Sequence, residues 1–308
     1  MKKGMKILAM LLAVVFMFAL VACGNKTGGD DTGGVHATYT DEENYAVFKA
    51  GVEFSLGCDD VYTYSETIAY MVDGVLLEID KSYETRDGNR FMYETSEETK
   101  PSESSGSQLT LTQNLIGAVK LVTADGEQKY KYCHKQLLND GSYEKSGEYL
   151  TDERLKSEVS TEHSPKTVLS AILTADETYA DFVASLKKYI VENEGDSGAT
   201  ADKIKISIGR DSIDKTMVTV SATAEGLRYE RDGKHGTEKL VFTFVVKDGK
   251  VTECGRRSEV TTDKGNGTTG SINSSSYVMY KYVFDEERYD EIKENEYPVS
   301  ETQEEIVV

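Results

Sequence analysis

The sequence predicts an α+β fold made mainly of long antiparallel strands, with a few amphipathic helices. Three observations predict it. Asp-Gly, which supplies the positive φ angles of a tight hairpin, occurs six times: Asp73-Gly74, Asp87-Gly88, Asp125-Gly126, Asp140-Gly141, Asp232-Gly233 and Asp248-Gly249. These turns pair at spacings of 14, 15 and 16 residues (73 to 87, 125 to 140, 232 to 248). That leaves strands of about 12 residues, where about 5–6 is usual. Segments with a helical period are few, and most open on a recognisable cap.

The first helix follows the capping box Thr40-Asp41-Glu42-Glu43 and carries Tyr45, Phe48, Val52 and Leu56 on one face. Candidate strands follow at 61–72, 75–85, 90–96, 108–112, 116–124 and 127–136. A short helix is expected at 152–159. Ser164 caps a helix with Pro165 in its first turn and a stripe of Val168, Leu169, Ile172 and Leu173. Thr174-Ala175-Asp176-Glu177 reads as a second capping box. Behind it Tyr179, Phe182, Val183, Leu186, Tyr189 and Ile190 form the strongest amphipathic helix, ending near Gly195.

Strands then resume. Ile204, Ile206 and Ile208 alternate with Lys203, Lys205 and Ser207. The segment 240–246 is apolar on both faces, with Leu240, Phe242, Phe244 and Val246 against Val241 and Val245, which predicts a central strand. Further strands are expected at 215–224, 251–262 and 277–284, and a terminal helix over 285–296 with little to bury beyond Tyr289 and Ile292. The predicted order is a helix, about six strands, a helical interlude at 151–192, and about five strands. Residues 99–107 and 264–270 read as exposed hairpin loops. His235 is expected in a turn.

The N-terminus has the layout of a secretory signal. Lys2, Lys3 and Lys6 precede an unbroken apolar run, Ile7 to Ala22, that is shorter than the roughly 20 residues of a spanning helix. The run ends in Leu20-Val21-Ala22-Cys23 followed by Gly24. This resembles the bacterial lipobox, which implies cleavage before Cys23, acyl chains on its thiol and new amino group, and anchoring on the extracytoplasmic face of the cell membrane. Gly24 to His36 has five Gly in thirteen residues and no apolar pattern, the composition of a tether. The expected organisation is a signal peptide at 1–22, a lipidated Cys and tether at 23–38, one sheet-rich domain at 39–297 and an acidic tail at 298–308.

The chain carries 35 Lys+Arg against 54 Asp+Glu, a formal charge of −19. The first 22 residues contain no acid, so the balance beyond them is −22. Nucleic-acid affinity rests on clustered Lys and Arg, so this composition argues against a nucleic-acid partner and against a polybasic membrane-surface protein. Apolar residues make up 38% of the 308 residues, or about 46% with Gly, enough for an ordinary core. The acids are spread along strand and helix exteriors, as expected of a solvated, repelling surface on a monomer.

A helix, a long meander, central helices and more meander resembles the bacterial lipoprotein-carrier group (LolA/LolB and LppX types) over about 40–297. The hairpin Val119 to Tyr132 (VKLVTADGEQKYKY) is similar to one in those carriers. The resemblance implies a curved antiparallel sheet forming an unclosed half-barrel, amphipathic helices on its concave side, and a cavity for lipid or acyl chains. It carries over no functional residue.

Residues that could carry chemistry are few. Cys58, Cys133 and Cys254 permit one disulfide and one free thiol, or three free thiols, and nothing selects a pairing. Cys133-His134 on one strand would face opposite ways and cannot act as a nucleophile–base pair. His36, His134, His163 and His235 have no zinc-site spacing, and no hydrolase, metalloprotease or phosphate-loop motif is present. No metal, cofactor or catalytic residue is therefore expected. The acid pairs Asp59-Asp60, Glu97-Glu98, Glu286-Glu287 and Glu304-Glu305 are what 54 acids produce by chance.

The compositional lead is 19 Tyr. Tyr62, Tyr64 and Tyr70 share one strand face, as do Tyr130 with Tyr132 and Tyr280 with Tyr282, and such rings could line a ligand site. Tyr is also simply favoured on half-buried pleated surfaces. The expectation is a lipid-anchored, non-catalytic binding domain for a hydrophobic ligand or envelope polymer. The alternatives are an acidic module facing a partner and, last, a hydrolase of unrecognised type.

Overall fold

The structure is a computed structural model. It describes residues 39–88, 90–99, 110–122, 128–137, 142–150, 163–194, 197–231, 233–264 and 267–294. The described residues belong to one compact unit, Tyr39–Val308. Helix α1 (Asp41–Leu56) leads into β1 (Val61–Val72), β2 (Val75–Asp87), β3 (Arg90–Thr99), β4 (Thr110–Val122), β5 (Gln128–Leu137) and β6 (Tyr143–Leu150). After α2 (Pro165–Ser170) and α3 (Tyr179–Glu194) come β7 (Ile204–Arg210), β8 (Val218–Arg231), β9 (Lys234–Lys247), β10 (Lys250–Asp263) and β11 (Thr269–Lys281), then α4 (Glu286–Glu294).

All eleven strands join one antiparallel sheet in the order β6-β5-β4-β3-β2-β1-β11-β10-β9-β8-β7. Two meanders are joined by the long-range pairing of β1 with β11, from Thr63 opposite Lys281 to Val72 opposite Ile272. β6 and β7 stand at opposite edges and do not pair, so the curved sheet stays unclosed, with α1, α2 and α3 on its concave side and α4, contrary to expectation, on the other. No helix among the described residues is long and apolar enough to cross a membrane.

The turn chemistry acts as expected where it is described. Asp73 and Gly74 have φ of 50° and 77°, and Asp248 and Gly249 have 50° and 72°, the left-handed values of two-residue hairpins. The Thr40 box is complete: its amide donates to Glu43 Oε2 at 2.7 Å, and Glu43 N donates to Thr40 Oγ1 at 3.2 Å. Ser164 Oγ accepts from Thr167 N at 3.1 Å ahead of Pro165.

Several boundaries differ from expectation. The strongest helix is capped by Thr178, whose Oγ1 accepts from Asp181 N at 3.2 Å, rather than by the Thr174 box. The segments 108–112 and 116–124 are one strand, β4, because Gln113, Asn114 and Leu115 keep pairing with β3 opposite Ser96, Thr95 and Glu94. β6 carried no strand signal. β11 begins at Thr269, eight residues early, since a strand between β1 and β10 is held by ladder bonds on both sides even where it reads Ser-Ile-Asn-Ser-Ser-Ser. His235 lies on β9. The expected helix at 152–159 and the Asp125, Asp140 and Asp232 turns fall outside the described residues.

Register defines two faces. On the inner face Ile208, Val220, Phe244, Cys254 and Val278 follow one another across β7, β8, β9, β10 and β11. α1 lies across this face at one end of the strands. Gly51 sits so close to β9 that a Cβ there would be 2.5 Å from Val246 Cγ1. The β10 bulge at Val251/Glu253 frees the Val251 amide, which donates to Ser55 Oγ at 2.9 Å. Phe182 of α3 stacks on Tyr45 at 5.2 Å and contacts Phe48 at 5.4 Å, closing the core. α4 takes the opposite face. There Tyr83 OH donates to Asp285 Oδ2 at 2.5 Å, and Arg288 lies over the Tyr83 ring while bonding Glu94 at 2.5 Å.

Candidate functional site

Four rows on the inner face of β1, β2 and β3 run from an aromatic end to an acidic one. The first is Tyr64, Glu84 and Tyr93, extended on β11 by Tyr280. The next rows are Glu66, Ser82 and Thr95, then Ile68, Asp80 and Glu97, then Tyr70 and Glu78.

At the aromatic end Glu84 has no solvent exposure. Its Oε1 accepts from Tyr62 OH at 2.6 Å and lies 3.4 Å from Arg86 Nε, an ion pair without hydrogen-bond geometry. Its Oε2 lies 2.7 Å from His163 Nδ1. The imidazole stacks between Tyr64 (centroids 4.4 Å, planes 21° apart) and Tyr93 (5.7 Å, 9°). A buried carboxylate is tolerable only when paired and bonded, and this one is held on both oxygens. The His163 carbonyl accepts from Tyr280 OH at 3.1 Å, so the residue ahead of the α2 cap is fixed to the sheet at both ends.

The tyrosines here are hydroxyl donors rather than latent bases. Burial pushes the Tyr64 phenol far up, and its bond to Glu66 (2.7 Å) adds to the effect. Burial does the same for Tyr280. The second oxygen of Glu66 accepts from Ser276 Oγ at 2.8 Å. Neither described cysteine sits as a thiolate: burial raises the Cys58 thiol and pushes Cys254 up to about 12, and both are free. Cys133 lies on β5 with its side chain outside the described residues.

The acidic end is a cleft of about 340 Å³ lined by Glu78, Asp80, Lys81, Ser82, Thr95, Ser96 and Glu97. Oxygens of Glu78, Asp80 and Glu97 lie within 4.8 Å of one another, the one group among the described residues whose spacing could hold a metal ion. Burial, then the charges of Asp80 and Glu97, raise the Glu78 carboxyl above the ordinary glutamate value. Asp80 Oδ1 is shielded from solvent and has no hydrogen-bond partner.

The tyrosines singled out in the sequence take several roles. Tyr62, Tyr64 and Tyr280 are core residues beneath the helices. The Tyr282 hydroxyl lies 2.6 Å from both Ser55 Oγ and the Val251 carbonyl, tying α1 to β10. Tyr70 is half-buried in the acidic row. Tyr130 and Tyr132 lie on β5 opposite Lys120 and Ala118, with side chains outside the described residues. Cys23 also falls outside them. The structure brings together three groups the sequence did not: Glu84 with His163, Tyr93 with both, and Asp80 with Glu97 and Glu78. Counting strand pairs outward from the Asp87-Gly88 turn places Asp80 opposite Glu97. That register was the available signal.

Comparison of the chain with protein-family models, with curated proteins and with solved structures finds no match.

Proposed function

We propose that this chain is a lipid-anchored protein of the cell envelope whose sheet domain is a non-catalytic binding module for an amine-bearing partner. The anchoring reading is supported by Leu20-Val21-Ala22-Cys23 after a short apolar run. The binding reading is carried by one observation: the cleft in which Glu78, Asp80 and Glu97 converge, with an Asp80 oxygen left unpaired. Three carboxylates this close repel one another, and a cation among them removes that repulsion while satisfying the free oxygen. Ser82, Thr95 and Ser96 line the same cleft and offer hydroxyls beside the carboxylates.

The test is calorimetric titration of residues 39–308 with oligolysine at low and high salt, on the wild type and on Asp80→Asn/Glu97→Gln. Binding that weakens with salt and is lost in the double variant supports the cleft. Equal binding by the variant assigns it to the general negative field of the surface and removes the cleft from the account.

A second reading, carriage of a hydrophobic ligand, is favoured by Ile68, 40% exposed on the same face beside half-buried Tyr70. Native mass spectrometry of the domain purified from a lipid-containing host decides it. A co-purifying lipid supports carriage, and a bare protein mass that takes up no lipid ends it.

A further inference from the structure

Large apolar side chains are exposed unevenly. Among the described residues those open to solvent are Phe54, Val61, Ile68, Val75, Ile213, Met279 and Val283. Four of them lie at one end of the sheet. Ile213, 93% exposed, tips the loop between β7 and β8. Val283, 57% exposed, follows β11; Val61, 40% exposed, opens β1; and Phe54, 45% exposed, ends α1. Strand alternation places these termini together, because β7 and β11 finish where β1 and β8 begin.

The Ile213 loop is firmly built. Asp211 Oδ1 accepts from the amides of Ile213 (2.8 Å) and Asp214 (2.7 Å), Asp214 Oδ1 accepts from Thr216 N (3.0 Å), and Asp214 pairs with Lys247 at 3.1 Å. Two carboxylates are thus turned onto the loop's own amides and Lys247, while the isoleucine is held outward. Phe54 and Tyr282 share Lys250, whose Nζ lies 5.3 Å and 5.7 Å from their rings. Lone exposed apolar residues are ordinary; here Phe54, Val61 and Val283 stand near one another where β1 meets β11 and Ile213 stands about 24 Å across the same end, so the four lie at separate points of one pole.

The chain leaves the domain at this same end. Arg210, the last residue of β7, lies over the Tyr39 ring at 3.8 Å and donates to the Glu43 carbonyl and Asn44 Oδ1 at 3.2 Å each. Fifteen residues separate Tyr39 from Cys23, a span of at most about 55 Å. The opposite end of the sheet is a further ~45 Å away along fourteen-residue strands. A Gly-rich chain of this length averages only about 20–23 Å end to end, half the length of the strands, so an acyl anchor on Cys23 favours the apolar end facing the bilayer with the Asp73-Gly74 hairpin away from it.

We propose that the strand end carrying Phe54, Val61, Ile213 and Val283 rests on the lipid bilayer, inserting Ile213 at the headgroup level and so setting the domain upright on the membrane. The inference depends on the anchoring reading of Cys23 and is independent of the acidic cleft. On an anchored protein a few side chains suffice, because the tether keeps the local lipid concentration high. Their work is orientation rather than affinity.

The chain contains no Trp, so Ile213→Trp introduces a single reporter at an exposed position, and Val75→Trp is its counterpart at the opposite end. Each full-length acylated variant is placed in vesicles of phosphatidylglycerol and phosphatidylethanolamine with and without bromine-labelled acyl chains. The expected result is a blue shift and loss of emission for the Ile213→Trp variant and neither for Val75→Trp. Unshifted, unquenched emission from vesicle-bound Ile213→Trp overturns the inference. So does equal quenching in both variants, or a concentration-dependent shift without vesicles, which would mark self-association. A mass with no acyl group on Cys23 instead overturns the anchoring reading beneath it.

Discussion

Glu84 and His163 are 79 residues apart in the chain and meet at 2.7 Å between Oε2 and Nδ1, on a carboxylate with no solvent exposure. β2 supplies the acid, the residue before the α2 cap supplies the imidazole, and Tyr64 and Tyr93 clamp the ring. The contact joins the helical interlude to the first meander.

Glu84→Ala removes the acceptor of Tyr62 and the ion partner of Arg86, and is expected to cost about 3–5 kcal/mol, as breaking a buried pair does. His163→Ala leaves those two bonds in place and is expected to cost about 1.5–3 kcal/mol, the range of a bond to a charged group. Urea denaturation reads both as a lower midpoint. A double-mutant cycle should return a coupling of about 0.5–3 kcal/mol. Additive losses would show that the two side chains do not act together.

Gly51→Ala tests the approach of α1 to β9. An alanine gains up to about 1 kcal/mol of helix propensity, yet its methyl meets both Val246 methyls, at 2.5 and 2.8 Å. The expected outcome is a net loss of about 1–3 kcal/mol from overpacking, partly restored by Val246→Ala. A stabilised single variant would mean that α1 can lift from the sheet at little cost.

Glu78 predicts a pH dependence of definite sign. Its folded carboxyl titrates above the ordinary 4.5, so the native state holds that proton more tightly than the unfolded chain does. The stability from this group is present below the unfolded value and is lost as pH rises through the raised native one. Glu78→Gln should therefore gain on the wild type on going from acidic to neutral pH. Denaturant midpoints that move in parallel for both proteins would refute the sign.

The cross-strand neighbours Asp80 and Glu97 carry like charge in direct register. Glu97→Lys replaces repulsion by attraction and is expected to stabilise the fold by about 0.2–1 kcal/mol while abolishing oligolysine binding at the cleft. Thermal unfolding and calorimetry on one sample check both outcomes. Loss of stability would show that Glu97 has a structural partner.

The hairpin turns and the starts of α1 and α2 were readable because they rest on short-range chemistry, whereas the number of strands agrees only because one strand read as two, β4, offsets the unread β6. Asp73-Gly74 turns wherever two positive φ angles are affordable, and Thr40 with Glu43 caps a helix without help from elsewhere. β6 and the first half of β11 were not readable. Their polar residues become strand because neighbours supply the ladder bonds, and intrinsic preference is too weak to oppose that. The capping box at Thr174 failed for a related reason: Thr178 offered the same bonds one turn later, where Tyr179 and Phe182 could reach the core. Of the candidate site, the tyrosines were visible as types, but their partners were not.

The sequence by itself determined the long strands, most of the caps and the alternation that separates the faces, since each depends on residues within one turn or one strand pair. Only the tertiary structure decided that β1 lies beside β11, that Glu84 is closed over by His163, that Glu78, Asp80 and Glu97 share a cleft, and that Ile213, Val283, Val61 and Phe54 lie at the strand end from which Tyr39 leaves the domain. Those relationships join residues tens to hundreds of positions apart. They follow from register and from the closing of one sheet across both halves of the chain, which no local pattern encodes.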